Sequence, residues 1–288
     1  MEQLFKYPLL ADEFPLTIAG MDPQDPIELH AHIFEELVII TGGRGTHFTR
    51  DEVYEIQAGD AFIITRAQAH GYRDTGRLSL VNILFRMEDL PLPVQEMRKL
   101  PGYHAFFLLE PEYRERHRFQ SRLRLTVEEL SELSRLIARL RGELEARQPG
   151  FEFLATALFM QIIGALARSY ANRRDSRIHS PLVGISEVIS YLESQYTEEI
   201  SLEALAARAC MSKSTLFRVF RQATGSTPIE YLLRLRVLHA AELLRAGACT
   251  VAEAAFHVGF HDSNYFTRQF RRIMGMTPQA YRGKRDMV

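Results

Sequence analysis

The chain has 288 residues, of which 46% are hydrophobic, 10% aromatic and 25% charged. This balance is that of a globular protein and excludes disordered, collagen-like and mucin-like chains, and the length is enough for two domains of about 100–200 residues. The net charge is −1, but residues 201–288 hold 13 Lys and Arg against 6 Asp and Glu, a net of +7 that leaves −8 for the other 200 residues. A basic tail on an acidic body predicts that the tail binds a polyanion.

Cysteine usage and hydropathy point to a cytoplasmic protein that is not bound to a membrane. Cys210 and Cys249 are too few for a disulfide framework and fall in stretches predicted as helical, so reduced thiols are expected. The first ten residues lack the continuous apolar stretch of a secretory signal. The most apolar stretch, Phe153–Ala167, is shorter than the ~20 residues that a membrane-spanning helix needs.

Short runs rich in Val, Ile, Leu and Phe predict β-strands between about Leu29 and Arg86. The clearest runs are Glu36–Thr41, Val53–Ile56, Ala61–Thr65 and Ser79–Phe85. Turn signals such as Gly42-Gly43 and Ala58-Gly59-Asp60 separate them. Many short strands at regular spacing are typical of a sandwich or barrel, which we place in residues 1–125.

From Thr126 the apolar period becomes helical. One stripe is formed by Leu130, Leu133, Ile137, Leu140 and Leu144, at alternating spacings of 3 and 4. Thr126 with Glu129 fits a capping box, and Pro149-Gly150 separates this helix from a second apolar helix, Phe151–Asn172. The stripe indicates either a helix packed on its own barrel or a seam between two chains. We favour the seam, because a dimer would present two copies of the C-terminal unit described next.

A polar segment, residues 173–181, ends at Pro181 and is predicted to link this part to a helical domain, residues 182–288. That domain contains one unit twice. Residues 50 positions apart match at Arg218/Arg268, Phe220/Phe270, Gly225/Gly275, Pro228/Pro278 and Tyr231/Tyr281. Upstream the offset is 49, so the second turn holds one more residue. Each unit has a short helix, a turn, a second helix and a terminal glycine, which is a helix-turn-helix.

The second helix of each unit has one polar face. Outward positions are Ser214, Phe217, Arg218 and Arg221 in the first unit and Asn264, Thr267, Arg268 and Arg271 in the second. Arginine can bind guanine and asparagine can bind adenine through two hydrogen bonds in the major groove, while Arg221 and Arg271 are better placed for phosphates. Phe217 could contact a thymine methyl group or pack on a neighbouring helix. The predicted helix Pro228–Ala246 spans about 28 Å and can hold the two reading helices about one DNA turn apart.

These repeats, ending in Gly275-Met276-Thr277-Pro278, and the stretch Val258–Phe266 resemble the AraC/XylS family of bacterial transcription regulators. The resemblance implies RNA polymerase as a partner. It also implies that six residues face bases: Ser214, Phe217, Arg218, Asn264, Tyr265 and Arg268. The N-terminal 180 residues are similar to the family's sugar-sensing arm, a cupin barrel followed by a helical pair for dimerisation. His30-Ala31-His32 and Leu80–Arg86 are similar to the regulators of L-rhamnose genes, which implies a sugar as effector.

Four residues of the barrel, His30, His32, Glu36 and His70, follow the spacing of cupin enzymes that bind Fe, Mn or Zn. Positions 30, 32 and 36 would face one way on a strand, and three imidazoles with a carboxylate suit a divalent metal. Thr65 and Ala67 stand where the enzyme pattern has Pro and Gly. Three interpretations remain: a metal site, a ligand-binding site, or structural polar residues at the barrel mouth. Tyr72 is expected to line the same pocket; Arg44 and His47 are expected at the surface.

The sequence therefore predicts an α+β protein, with a cupin-like barrel (1–125), a helical pair (126–172), a linker (173–181) and an all-α double helix-turn-helix domain (182–288). The predicted function is that of a ligand-responsive activator of sugar-metabolism genes. It binds double-stranded DNA and a small effector as a homodimer, with no catalytic residue and no required cofactor. Two alternatives are kept: a metal-dependent cupin enzyme with a DNA-binding tail, and a constitutive regulator whose barrel is structural.

Overall fold

The computed structural model describes residues 3–5, 14–20, 23–109, 111, 123–172, 180–247 and 249–283. The chain divides into two compact units, Met1–Leu182 and Val183–Val288. Most of the predicted linker, residues 173–179, lies outside the described residues, and helical structure is present again from Ser180.

The first unit is built on two five-stranded sheets. The strands are β1 (Gln3–Phe5), β2 (Leu16–Ala19), β3 (Ile27–His32), β4 (Glu35–Gly42), β5 (Arg44–Thr49), β6 (Val53–Gln57), β7 (Asp60–Ile64), β8 (His70–Arg73), β9 (Ser79–Phe85) and β10 (Leu123–Arg124). The first sheet has the order β1-β3-β8-β5-β6 and the second β10-β7-β4-β9-β2. The four predicted runs correspond to β4, β6, β7 and β9, and the predicted α+β class is confirmed.

The second sheet is buried on both faces. On one face Val38 and Ile40 of β4 join an apolar core with Phe62 and Leu80. On the other face Phe85 packs against Phe159 of the helical pair, with ring centroids 5.0 Å apart. A strand that is buried on both sides needs apolar residues at every position, which is why β4, β7 and β9 were visible as continuous apolar runs.

Two short helices, α1 (Val94–Arg98) and α2 (Pro101–Tyr103), follow β9, and the chain continues from α2 into a π-helical turn, His104–Leu109. The helical pair comes next and consists of α3 (Val127–Ala146) and α4 (Phe151–Asn172). Thr126 and Glu129 form the predicted capping box. Leu133, Ile137 and Leu140 are at most 4% exposed, and α3 packs on α4 and β2. The stripe is therefore packed within its own chain, as the first of the two interpretations expects, while the use of the helical pair in dimerisation stays a prediction. The spacing shows that a face is buried but not which element buries it.

Helix α4 is long and apolar enough, by length and composition, to cross a membrane. It has 22 residues, more than the apolar stretch recognised in the sequence, and nine of them are buried within the chain. The buried residues, from Ala155 to Tyr170, run along most of the helix and face the second sheet and α3. We interpret α4 as the core helix of this unit.

The second unit is entirely helical where it is described. Its helices are α5 (Ser180–Gln195), α6 (Leu202–Arg208), α7 (Lys213–Thr224), α8 (Pro228–Ala246), α9 (Val251–His257), α10 (Ser263–Met274) and α11 (Pro278–Gly283). Side chains of Ser201, Ser212, Thr227 and Asp262 accept hydrogen bonds from backbone N–H groups at the helix starts. Helix α8 has the predicted bounds and ends at Gly247, whose φ is +69°.

The two repeats share the geometry of their turns. The N–H of Met211 donates to the carbonyl of Ala206 at 3.0 Å, and the N–H of Phe260 donates to that of Ala255 at 2.9 Å. Between the helices the first turn places Cys210 at φ +53°, where the second turn has Gly259 at φ +86°. Cys210 therefore lies in a turn and Cys249 before the start of α9, not in helices as predicted; both are free thiols.

Candidate DNA interface and effector site

Helices α7 and α10 have one buried face and one exposed face. Leu216 and Phe220 are buried in α7, and Phe266 and Phe270 are buried at the matching positions of α10. Each unit closes with the same ring contact: Phe220 meets Tyr231 at 5.8 Å and Phe270 meets Tyr281 at 5.6 Å between ring centroids. The repeat is therefore a repeat of structure as well as of sequence.

The predicted base-facing and phosphate-facing side chains lie on the exposed faces. Exposed residues are Ser214, Phe217, Arg218 and Arg221 on α7 and Asn264, Tyr265, Arg268 and Arg271 on α10, while Thr267 is half-buried. Arg218 and Arg268 occupy the same register, five residues after the first residue of their helices. Both guanidinium groups are thus available at equivalent points of two equivalent helices, which is what a reader of two major grooves requires.

Neighbouring residues shape these faces. The guanidinium of Arg268 lies over the ring of Tyr265, 5.8 Å from its centroid, a cation–π contact that restricts where this arginine can point. Lys213, the first residue of α7, is paired with Glu203 of the preceding helix. Thr267 donates its hydroxyl hydrogen to the carbonyl of Ser263 at 2.8 Å.

In the first unit, a polar cluster lies where β3, β4 and β8 meet. His32, Glu36 and His70 are 2%, 3% and 1% exposed. Nε2 of His32 lies 2.8 Å from Oε2 of Glu36, and Nε2 of His70 lies 3.5 Å from the same oxygen. The ring of His30 is half-buried beside this group, 4.2 Å from that of His70. All four residues that share the predicted spacing therefore meet.

The strands that carry these residues differ from the prediction, which placed His30, His32 and Glu36 on one strand. His30 and His32 lie at the end of β3 in one sheet, whereas Glu36 is the second residue of β4 in the other sheet. The three residues are thus not on a single strand; the chain turns a corner at residues 33–34, and the two strand ends converge on one point.

Burial and the neighbouring imidazoles act in opposite directions on the pKa of Glu36. Burial by itself raises the pKa of this carboxyl, but the nearby rings of His32 and His70 outweigh burial and hold the pKa below its ordinary value. The pKa of His30 is lowered, first by burial and then by the neighbouring His70. Glu36 is therefore an anion at neutral pH, enclosed by imidazoles.

A cleft of about 380 Å³ opens between the β5–β6 turn and the loop before β8, a size within the range of small-molecule sites. Its lining is rich in polar groups: Thr49, Arg50, Asp51, Glu52, Tyr54 and Gln68. Thr49 pairs with His70 across the sheet, so the cleft adjoins the histidine cluster. Such a lining offers hydrogen-bond donors and acceptors to a ligand that carries many hydroxyl groups.

Comparison with known proteins shows both parts of this architecture. A family model described as an AraC-like ligand binding domain matches residues 16–163, just over half of the chain, and one described as a helix-turn-helix domain matches residues 205–284. The HTH-type transcriptional activator RhaS of Escherichia fergusonii is 34% identical over 96% of this chain and 95% of its own length. The HTH-type transcriptional activator RhaR of Mannheimia succiniciproducens is 30% identical over 96% and 94%.

The chain belongs to the AraC family of transcriptional regulators. The family resemblance predicted from the repeats is confirmed, and so is the function of a DNA-binding regulator with a ligand-binding domain. Among solved structures, the DNA-binding domain of AdpA in complex with a target DNA is 40% identical over 35% of this chain and 91% of that one, with a TM-score of 0.33. A single-residue variant of apo ToxT from Vibrio cholerae is 12% identical over 93% and 96%, with a TM-score of 0.35.

In this AraC-family regulator, one residue of the first unit that was predicted at the surface is buried. His47, expected at the surface, is 1% exposed; its ring lies 5.3 Å from that of Tyr72 and 5.8 Å from that of His70. Tyr72 is buried beside His70 as predicted, and Arg44 is exposed as predicted. Alternation along β5 gave the only signal, because His47 shares its face with the buried Gly45.

The cleft was also missed as a site. Arg50 and Asp51 lie in the turn between β5 and β6, and their approach to Gln68 depends on the pairing of β5 with β8. No pattern within either segment indicates that contact.

Proposed function

We propose that this regulator activates genes of carbohydrate metabolism when its N-terminal unit binds a sugar. It works in the cytoplasm as a homodimer, together with RNA polymerase and not as an enzyme. The observation that carries the proposal is the matched exposure of Arg218 and Arg268 on two equivalent helices. The names of the relatives, transcriptional activators, support activation as the output.

The proposal that the effector is a sugar rests on two observations from the first unit. The barrel stretches His30–His32 and Leu80–Arg86 are similar to regulators of L-rhamnose genes, and the polar cleft beside His70 offers a carboxylate, a guanidinium and an amide within one cavity. A sugar presents several hydroxyl groups that must each find a partner when they leave water. We place the effector in this cleft, with Asp51 and Gln68 as its hydrogen-bonding partners.

A homodimer needs a surface other than the buried leucine stripe. At the ends of the helical pair, Phe153 is 76% exposed and Val127 81% exposed. These residues are the candidates for contact with a second copy.

The test joins DNA and effector binding in one experiment. Duplexes are selected from a random library by binding to the purified chain, and a panel of sugars that includes L-rhamnose is titrated calorimetrically and added to anisotropy assays on the selected duplex. One sugar is expected to release heat and to change DNA affinity by about 5–150-fold. Gln68→Ala should weaken binding of the sugar. It should leave the affinity for DNA, measured in the absence of sugar, unchanged.

The outcomes separate the rival functions. Selection of no sequence would contradict the regulator. Selection of a sequence with no response to any sugar would favour a constitutive regulator with a structural barrel. Turnover of an added small molecule by the purified chain would favour an enzyme with a DNA-binding tail.

Phe217 gives a prediction about base preference. Its side chain is 39% exposed on the reading face of α7, and we expect it to contact a thymine methyl group. Replacing that thymine by uracil should weaken binding of the wild-type chain about fourfold, the equivalent of ~0.8 kcal/mol for one buried methyl group. Phe217→Ala should bind both duplexes equally.

The control is Phe256→Ala, because Phe256 is also exposed, at 60%, but lies on α9 outside the reading helices. This variant should still distinguish thymine from uracil. Equal binding of thymine and uracil duplexes by the wild-type chain, at every position of the half-site, would remove Phe217 from base recognition.

A further inference from the structure

The histidine cluster of the first unit has a hydrogen-bonding pattern that a purely structural role does not explain. Nδ1–H of His32 donates to the carbonyl of Phe34 at 2.7 Å, that of His70 to Gln68 at 3.2 Å, and that of His30 to Glu28 at 3.0 Å. A carbonyl oxygen only accepts hydrogen bonds, so Nδ1 carries the hydrogen in each ring. In a neutral imidazole, Nε2 is then unprotonated and carries a lone pair.

Two of these lone pairs are directed at a carboxylate. Nε2 of His32 lies 2.8 Å from Oε2 of Glu36, and Nε2 of His70 lies 3.5 Å from the same atom. Lone pairs of a neutral imidazole and of a carboxylate oxygen repel each other, so this contact requires a positive charge between the two atoms. Either a proton on His32 or a metal ion can supply it.

Burial and the position of His70 favour the metal ion. All three residues are buried, so the charge of Glu36 must be neutralised where it lies. A single proton on His32 would remove the repulsion in the shorter contact, between His32 and Glu36, but not in the contact between His70 and Glu36. Nε2 of His70 is buried and makes no hydrogen bond in the described part of the chain, whereas a metal ion would engage all three ligand atoms at once.

The spacing of the donor atoms fits one ion. The three residues each offer one ligand atom, and these atoms lie within 4.8 Å of one another. Nitrogen and oxygen ligands bind divalent transition ions at about 2.0–2.2 Å, which places ligands of one ion about 3–4 Å apart. A histidine that binds a metal through one ring nitrogen nearly always donates the other N–H to a carbonyl or carboxylate, as all three rings do here.

We propose that His32, Glu36 and His70 bind one divalent transition-metal ion. A set of imidazoles and one carboxylate suits zinc, iron, manganese and cobalt rather than calcium or magnesium. This site does not rest on the effector proposed above, since its three core ligands belong to β3, β4 and β8 and not to the lining of the cleft.

The test uses the full-length chain, stripped with a chelator, dialysed and reconstituted separately with Zn²⁺, Mn²⁺ and Co²⁺. Elemental analysis should find one ion per chain. Co²⁺ should develop visible absorption bands of nitrogen and oxygen coordination. The melting temperature should rise with metal, because the ion binds the native state only. Glu36→Gln keeps the shape of the side chain but removes its charge. It should lower the affinity for the ion by at least 10–100-fold, which is the loss typical when a residue that only supports a metal ligand is replaced.

The matched control removes two histidines from the surface. His257 and His261 are exposed in the second unit and could bind metal adventitiously. Their joint replacement by alanine should leave the stoichiometry at one ion per chain. A chain that folds, as judged by circular dichroism, but retains no ion after reconstitution at neutral pH would overturn the proposal and assign the charge to a proton on His32. Loss of the ion in the surface variant, but not in Glu36→Gln, would overturn it as well.

Discussion

Replacing Arg218 and Arg268 together by alanine is expected to abolish sequence-specific DNA binding while both units stay folded. Each guanidinium is exposed at the same register of its helix, and one bidentate contact with guanine contributes about 1–3 kcal/mol of discrimination. If the two helices act independently, the double variant should lose about 2–6 kcal/mol. Weak binding through phosphate contacts should remain, and it should fall steeply as salt is added.

Anisotropy titrations with a specific and a scrambled duplex measure this effect. Arg135 and Arg139 are exposed on α3 of the other unit, so Arg135→Ala with Arg139→Ala removes the same charge and should leave the preference intact. Arg221→Ala should weaken specific and scrambled duplexes alike and reduce the salt slope by about one ion. A double variant of Arg218 and Arg268 that still prefers its operator would refute the groove assignment.

Leu140→Asp is expected to unfold the first unit rather than to separate a dimer. Leu140 is fully buried between α3 and the rest of its own unit. A carboxylate at this position would be buried without a partner, and such changes lie in the most damaging class, about 4–5 kcal/mol. That loss is a large part of the roughly 5–15 kcal/mol stability of a typical domain.

Circular dichroism with sedimentation distinguishes the two outcomes. Ala138→Asp, on the exposed side of the same helix, is the control and should remain folded with an unchanged oligomeric state. If Leu140→Asp gives a folded monomer, the stripe is a seam after all, and the packing described for α3 is incorrect.

The elements predicted best from sequence are those whose signals are local. The bounds of α8 follow from Pro228 at its start and Gly247 after its end, and the start of α4 follows from Pro149-Gly150. The cap at Thr126 is predicted from two side chains alone, those of Thr126 and Glu129. The duplication of the helix-turn-helix adds an internal control, because the same pattern occurs twice in one chain.

The features that escaped prediction depend on contacts between distant segments. Burial of Leu133 and Leu140 was foreseen, but not that α4 would cover them. His47 looked like a surface residue because β5, with the sequence Arg-Gly-Thr-His-Phe-Thr, is polar by composition; only its pairing with β8 places it beside Tyr72. The helix predicted at Cys210 is a turn in the structure, because nothing in its neighbours marks a positive φ where the second repeat has glycine.

The histidine cluster lies between these cases. Its members were identified from their spacing, and the structure brings all of them together. The reason was partly wrong, since His32 and Glu36 face each other across a corner between two sheets and not along one strand. Spacing of residue types can thus locate a site whose geometry it does not describe.

Guanine N7 methylation interference tests the central claim most directly, with the wild-type chain, Arg218→Ala and Arg268→Ala on the same selected operator. We expect two groups of interfering guanines per subunit, about 10 base pairs apart in consecutive major grooves. Arg218→Ala should lose one group and Arg268→Ala the other. If both variants lose the same group, or neither loses any, the two helices do not read successive grooves and the account is contradicted.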